Sequence, residues 1–224
     1  MERMTAARAG RPTGFTLVEL MLASLIFSMV VAGLAAIYST AFKQSGKIIT
    51  DTRVKSTAAI ALRHITQQLA SVNRIDEPAN GASGSVVRAC SNVATDGNQI
   101  TTAVGISAVA FCVQPGTVGL CASPGAPPPC LFYYGFAGIC PAPAVSAANC
   151  GTTISGVAPF LLGAHLEASS NPTMPDYFSR SSGGANTGNL LRVAFQISRD
   201  ATATQPKVIY NVDTMVAGQF DARL

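Results

Sequence analysis

Residues 14–42 read GFTLVELMLASLIFSMVVAGLAAIYSTAF, and their composition predicts the structure of the N-terminal part of the chain. From Leu20 to Phe42 there are 23 residues without a charge. At about 1.5 Å of rise per residue, a helix of this length crosses a hydrocarbon core of about 30 Å. We therefore predict that residues 15–42 form a transmembrane helix.

Charges on either side of the apolar stretch predict its orientation. Arg3, Arg8 and Arg11 precede it, and Lys43 and Lys47 follow it. A short basic tail stays in the cytoplasm by the positive-inside rule. The N-terminus is therefore expected in the cytoplasm, and the bulk of the chain is expected to be exported to the periplasm.

Two other interpretations of the apolar stretch are a secretory signal peptide and a plain membrane anchor. A signal peptide would end at a small-residue site such as Ser39-Thr40-Ala41. Its apolar region usually runs to about 7 to 15 residues, whereas this one is longer and passes into an amphipathic pattern. A plain anchor explains length and orientation but leaves the carboxylate of Glu19 unexplained.

Glu19 needs a partner because an unpaired carboxylate at bilayer depth is costly. One interpretation is a capping box, in which Thr16 and Glu19 satisfy backbone donors at the helix start. The other is a cation that appears only after the chain has been processed. The residues around Glu19 bear on this second interpretation.

The stretch Gly14-Phe15-Thr16-Leu17-Val18-Glu19, with a basic leader before it and an apolar helix after it, resembles the processing motif of type IV prepilins and type II secretion pseudopilins. The resemblance implies that residues 1–14 are a leader, which a prepilin peptidase removes after Gly14. The same enzyme would methylate the new amine of Phe15. Glu19 would then pair with the N-terminal amine of a neighbouring subunit in a filament, since a buried charge needs such a partner.

The resemblance also implies partners and a location. The partners are the prepilin peptidase/methylase, other pilin or pseudopilin subunits, an inner-membrane assembly platform and membrane lipid. The chain would cross the inner membrane once and later join a pilus or pseudopilus at the cell envelope. Many major pilins carry a helix proline where this chain has Ala36. Its absence, with the cysteine-rich middle, favours a minor component resembling a W-type minor pilin or a J-type pseudopilin.

The helix is expected to continue through residues 43–76 as an amphipathic segment. Apolar residues recur there at helical spacings of four, three, four and three: Ala58, Leu62, Ile65, Leu69 and Val72. Pro78 and Asn80-Gly81 end the pattern. His64 lies beside this stripe and is predicted to be a solvated surface histidine.

Residues 77–224 are predicted to form an exported, β-rich globular domain. Candidate strands are Ser85–Cys90, Val104–Val113 and Leu131–Phe136. Residues 191–198 and 208–212 alternate apolar and polar side chains, so they are expected to pair as antiparallel neighbours. The predicted fold is α+β, a long N-terminal helix packed on an antiparallel sheet with disulfide-braced loops. Tyr133 and Tyr134 are interpreted as part of a core strand in preference to an exposed aromatic patch.

All six cysteines lie within 61 residues: Cys90, Cys112, Cys121, Cys130, Cys140 and Cys150. None forms a C-x-x-C pair, and the chain has only two histidines, so no metal site is expected. An even number at regular intervals indicates disulfides and an oxidising compartment. Fifteen connectivities are possible. The pair Cys121–Cys130 is favoured because it would close the proline-rich span 124–129 as a surface loop.

Charge and motifs argue against nucleic acid binding and catalysis. Loss of the leader removes three arginines and one glutamate, which lowers the formal charge from +4 to +2. No Lys or Arg lies between residues 89 and 179, so the loops are a poor phosphate clamp. No G-x-S-x-G, H-E-x-x-H or P-loop is present, and neither an enzyme nor a cofactor is expected. The alternative function is a pilus-borne adhesin or DNA-uptake module, with the Cys112–Cys150 loops as contact surface.

Overall fold

The computed structural model describes residues 14–91, 105–122, 128–138, 140–168, 176–181, 190–199 and 207–217. The chain divides into two units, Met1–Lys47 and Ile48–Leu224. One helix, α1, covers Leu17–Ala70 and so contributes to both.

In the first unit, α1 is long and apolar enough to cross a membrane, with a mean hydropathy of 2.5 in its most apolar window. Within the described part of the chain, none of that window is buried. The hydroxyls of this segment donate back to carbonyls of the preceding turn, as Ser24 does to Met21 and Ser28 to Leu25, each at 2.8 Å. Because these bonds satisfy the polar side chains locally, the segment presents an apolar surface throughout.

In the second unit, one face of α1 is buried: Val54, Ala58, Ala61, Ile65 and Leu69. This face follows the predicted stripe, except that Ala61 takes the central place and Leu62 is only partly buried. Small residues at 58 and 61 let the helix approach the sheets closely.

The helix ends at Ala70 and not near residue 76 as predicted. The backbone of Asn73 donates to the carbonyl of Cys90 at 2.9 Å, and Arg74–Glu77 then forms the first strand. The prediction was wrong because Val72 and Ile75 are both buried and follow Leu69 at intervals of three residues, which is also a helical spacing. Pairing with a strand distant in sequence decided the conformation of these residues.

The second unit contains two antiparallel sheets, of strand order β1-β3-β4-β5-β6 and β10-β9-β8-β2, with β7 also paired to β9. The strands are β1 Arg74–Glu77, β2 Ser83–Gly84, β3 Val86–Cys90, β4 Ile106–Gln114, β5 Cys130–Ala137, β6 Phe160–Gly163, β7 Leu166–Ala168, β8 Phe178–Arg180, β9 Leu190–Arg199 and β10 Val208–Ala217. A 3₁₀ turn covers Gly119–Ala122. The predicted α+β fold is confirmed, and β9 and β10 are antiparallel neighbours as expected.

Two hydrophobic cores lie on opposite faces of the first sheet. The first core joins the buried face of α1 to both sheets through residues such as Phe111, Leu131 and Phe195. The second core joins the other face of β3, β4 and β5 to residues of the 140–154 segment. Strand β4 is consequently buried on both faces, from Ser107 to Gln114, which explains its uninterrupted apolar sequence.

The aromatic residues of β5 divide between these cores. Tyr134 is fully buried in the second core, and Tyr133 packs against the first, so the core-strand interpretation is correct. The ring centroid of His64 lies 4.6 Å from that of Tyr133 and 6.5 Å from that of Phe111. His64 is therefore half-buried against aromatic rings, and its prediction as a solvated surface residue was wrong.

Candidate functional site

The first turn of α1 is closed by a capping box. The backbone N–H and the hydroxyl of Thr16 both donate to Oε2 of Glu19, each at 3.0 Å. In return, the backbone N–H of Glu19 donates to Oγ1 of Thr16 at 3.3 Å. Thr16 is thus the N-cap and Glu19 the third helical residue, the arrangement that satisfies orphan donors at a helix start.

The surface around this helix start is apolar and uncovered. Phe15 is 86% exposed, and Leu17, Val18 and Leu20 are also exposed. A carboxylate near the positive end of the helix dipole is favourable on its own account. The helix start therefore combines a positioned carboxylate with an apolar surface that none of the described residues buries.

Gly14 is exposed, and a Cβ built on it would meet no atom within 4 Å. Residues 1–13 of the predicted leader lie outside the described residues. Packing among the described residues gives no reason for a glycine at position 14.

The six cysteines form three pairs at disulfide distance: Cys90–Cys140, Cys112–Cys150 and Cys121–Cys130. The third is the pair favoured from the proline-rich span, although residues 123–127 of that span lie outside the described residues. The other two join β3 and β4 to the 140–150 segment, and all six sulfurs lie with the second core. These two disulfides hold the 140–150 segment, which forms the outer layer over the first sheet, against β3 and β4.

One cysteine pair belongs to a group with the geometry of a metal cluster. The ligand atoms of Asp76, Cys90 and Cys140 lie within 4.8 Å of one another. The two sulfurs are bonded to each other, however, and a disulfide offers no thiolate. The guanidinium of Arg74 is 2.7 Å from Asp76 and 3.3 Å from the Cys140 sulfur, so the carboxylate already has a cation. This group is a structural pairing.

A hydrolase triad consists of a serine, a histidine and an acid. The chain has these residue types close together at Ser198, His165 and Glu167, but they are not arranged as a triad. The Ser198 hydroxyl donates directly to Oε1 of Glu167 at 2.6 Å, with no imidazole between them. A triad requires the histidine to accept the serine proton. Lys207 completes the group by pairing with Glu167 at 3.0 Å. This arrangement ties β7 to β9 and to the residue that precedes β10.

A family model described as the prokaryotic N-terminal methylation motif matches residues 11–35 of the chain. No curated protein and no solved structure matches the chain significantly. The match covers the end of the predicted leader, the capping box and the apolar stretch as far as residue 35. The chain thus carries a prepilin-type methylation motif followed by a long apolar helix, which is consistent with the type IV pilin and pseudopilin family.

Proposed function

We propose that this chain is a structural subunit, a minor pilin or pseudopilin, of a type IV pilus or a type II secretion filament. The methylation motif supports this proposal most directly, because it falls on residues 11–35, where the helix begins. A subunit of this kind is typically not an enzyme. Its partners would be a prepilin peptidase, other subunits, an inner-membrane platform and lipid.

The exposed apolar surface of α1 supports an assembly role. Side chains from Phe15 to Phe42 are uncovered, so they require lipid or other helices around them. The same surface serves as a membrane anchor before assembly and as filament packing afterwards. In this proposal the N-terminus is cytoplasmic and residues 77–224 are periplasmic.

The position of Gly14 supports processing at that residue. Since none of the described residues restricts position 14, a requirement for glycine there would come from the peptidase and not from the fold. Cleavage between Gly14 and Phe15 would place a new ammonium directly before the N-cap Thr16. The Glu19 carboxylate, one turn along, is already oriented toward this end of the helix.

Glu19 has two successive roles in this proposal. In the unassembled chain it caps its own helix through one oxygen, Oε2. In a filament it pairs with the Phe15 amine of a neighbouring subunit, which sets the register between subunits. The adhesin or DNA-uptake alternative has less support, because residues 97–166 contain no Asp, Glu, Lys or Arg.

Intact-mass measurement of the chain purified from cells that contain the peptidase tests this proposal. We expect loss of residues 1–14 and addition of one methyl group at Phe15. Gly14→Leu should leave the precursor uncut in the membrane. Gly33→Leu is the matched control, since Gly33 also has no neighbour within 4 Å of its Cβ position.

Two results would contradict processing at Gly14. One is the retention of residues 1–14 in assembled material. The other is a cut near Ala41, which would identify the segment as a signal peptide.

A further inference from the structure

The Cys90–Cys140 disulfide differs from the other two in its exposure. Cys140 is half-buried, whereas each of the other five cysteines has at most 1% of its surface exposed. Thiol–disulfide exchange begins when a thiolate reaches one of the two bonded sulfurs, so access helps to decide which disulfide reacts first. Cys140 is the most accessible of the six cysteines, and an incoming thiol reaches this disulfide from its side.

Strand β1 places an ion pair beside this disulfide. Arg74 lies directly opposite Cys90 in the pairing of β1 with β3. Nε of Arg74 is 2.7 Å from Oδ1 of Asp76, which orients the guanidinium. Nη2 of the same guanidinium lies 3.3 Å from Sγ of Cys140 and 3.9 Å from Sγ of Cys90. A single cation therefore contacts both sulfurs of the bond.

The charges around this bond favour its exchange with a thiol. Negative charge spreads over the sulfurs as one thiolate attacks and another leaves, and a neighbouring arginine stabilises the thiolate form. Oδ2 of Asp76 lies 3.3 Å from Sγ of Cys90, where it can accept a hydrogen bond from the thiol that reduction forms. The other two disulfides lie within residues 112–150, which contain no Lys or Arg. Access and charge thus indicate the same disulfide.

We propose that Cys90–Cys140 is a thiol-exchange site at which a dithiol reductant attacks the sulfur of Cys140. In the first step the incoming thiol loses its proton and bonds to Cys140, and the bond between Cys140 and Cys90 breaks. Cys90 leaves as a thiolate, takes up a proton and donates it in a hydrogen bond to Asp76.

In the second step the other thiol of the reductant attacks the mixed disulfide and releases Cys140 as a thiolate beside Arg74. The dithiol is oxidised to a disulfide, and Cys90 and Cys140 together gain two electrons and two protons. The natural reductant would be the active-site dithiol of an oxidoreductase. That partner rests on the periplasmic location proposed above, whereas the reactivity of the bond does not.

The fold can open this bond and still retain the 140–150 segment. The far end of the segment is joined to β4 by the Cys112–Cys150 disulfide. Between the two ends, Ala142 and Val145 are buried in the second core. Reduction at Cys140 therefore frees only the near end of the segment, and the bond can form again in place.

Timed reduction of the full chain in detergent by limiting dithiothreitol, followed by alkylation, tests the proposal. Chymotryptic peptides sequenced by mass spectrometry locate the labels, since residues 89–179 contain no Lys or Arg for trypsin. Cys90 and Cys140 should be labelled about tenfold faster, or more, than the other four cysteines. Arg74→Met should slow this reduction about fivefold, roughly the effect of one unit charge 4 Å away in water.

Two variants serve as controls. Arg74→Lys should keep most of the rate, because it keeps the charge. Arg88→Met should leave the rate unchanged, since Arg88 joins the same two strands through Glu77 and its other bond goes to the carbonyl of Ala142. Equal slowing by Arg74→Met and Arg88→Met would overturn the proposal, as would equal rates for the three disulfides of the wild type.

A measurement on the unaltered chain covers the case in which Arg74→Met loosens the fold and speeds the reduction of all three disulfides. High salt screens the guanidinium and should slow the reduction of Cys90–Cys140 more than that of the other two. Absence of this salt effect would then overturn the proposal. The test does not depend on cleavage, methylation or assembly, so its failure is distinguishable from a failure of the proposed filament role.

Discussion

The phenol oxygen of Tyr134 accepts a hydrogen bond from the backbone N–H of Gly151 at 2.8 Å. The same hydroxyl donates to the carbonyl of Thr152, also at 2.8 Å. Tyr134 lies in the middle of β5, whereas Gly151 follows the cysteine that joins its segment to β4. One buried side chain therefore fixes the backbone of the outer layer where the disulfide also holds it.

Tyr134→Phe should lower the free energy of unfolding by about 1–3 kcal/mol, because it leaves a buried N–H and a carbonyl without their partner. Urea unfolding of the oxidised chain measures the change. Tyr133→Phe is the control, since that hydroxyl is partly exposed and bonds to Gln68 at 3.3 Å. An equal loss in both variants would mean that the Gly151 bond has no special contribution.

Gly119→Ala should destabilise more than Gly138→Ala. Both glycines have positive φ, 58° and 65°, which costs a residue with a Cβ about 1–2 kcal/mol. A Cβ at Gly119 would also clash with the backbone carbonyl of Gly151, whereas one at Gly138 would meet nothing within 4 Å. Thermal unfolding compares the two variants, and equal melting temperatures would contradict the close approach of Gly119 to Gly151.

Removal of the Cys112–Cys150 disulfide should cost more than removal of Cys121–Cys130. The sequence separations are 38 and 9 residues, and the chain-entropy model gives about 1 kcal/mol more for the longer loop. Double alanine variants of each pair, unfolded in urea, measure the difference.

In the wild type, thiol labelling under native, non-reducing conditions should find no reactive cysteine. Stoichiometric labelling of several would contradict an oxidising compartment.

Stability should fall in acid as Glu167 takes up a proton. The Ser198 hydroxyl, and after it the Lys207 ammonium, hold the pKa of Glu167 below its usual 4.5. A lowered pKa in the folded state contributes stability above about pH 4.5, and that contribution is lost as the pH falls through the folded pKa. The effect should be small, because the Glu167 side chain is 41% exposed.

Urea unfolding between pH 3 and 7, roughly the range in which carboxylates titrate, measures this dependence. Glu167→Gln should flatten it. Ser198→Ala and Lys207→Met should each raise the pKa of Glu167, because each removes a hydrogen bond that favours the ionised carboxylate. An NMR titration in which neither variant raises this pKa would contradict the role of these two contacts.

Glu19→Ala should leave membrane insertion intact and reduce filament assembly, since it removes a charge from an apolar segment along with the proposed partner of Phe15. Thr16→Ala separates the two roles of Glu19, because it removes the capping hydroxyl and keeps the carboxylate. Cell fractionation and filament yield measure both variants. Normal incorporation of Glu19→Ala, or equal defects in the two, would leave capping as the only role of Glu19.

Features that depend only on neighbouring residues could be predicted before the fold was known. The apolar stretch after Leu20, the capping residues Thr16 and Glu19 and the alternation in β9 and β10 are local patterns, and the structure contains all of them. The short loop closed by Cys121 and Cys130 is local too. Spacing of residue types along a chain carries this information directly.

Features that depend on residues distant in sequence follow from tertiary contacts and could not be predicted. The helix ends at Ala70 because the following residues pair with β3, although Val72 and Ile75 keep the helical spacing. Cys112 pairs with Cys150, and not with another cysteine, because the second core brings the 140–150 segment onto β4. His64 is half-buried because Tyr133 and Phe111 meet it from the sheet. These outcomes follow from which surfaces are buried together, and no local spacing records that.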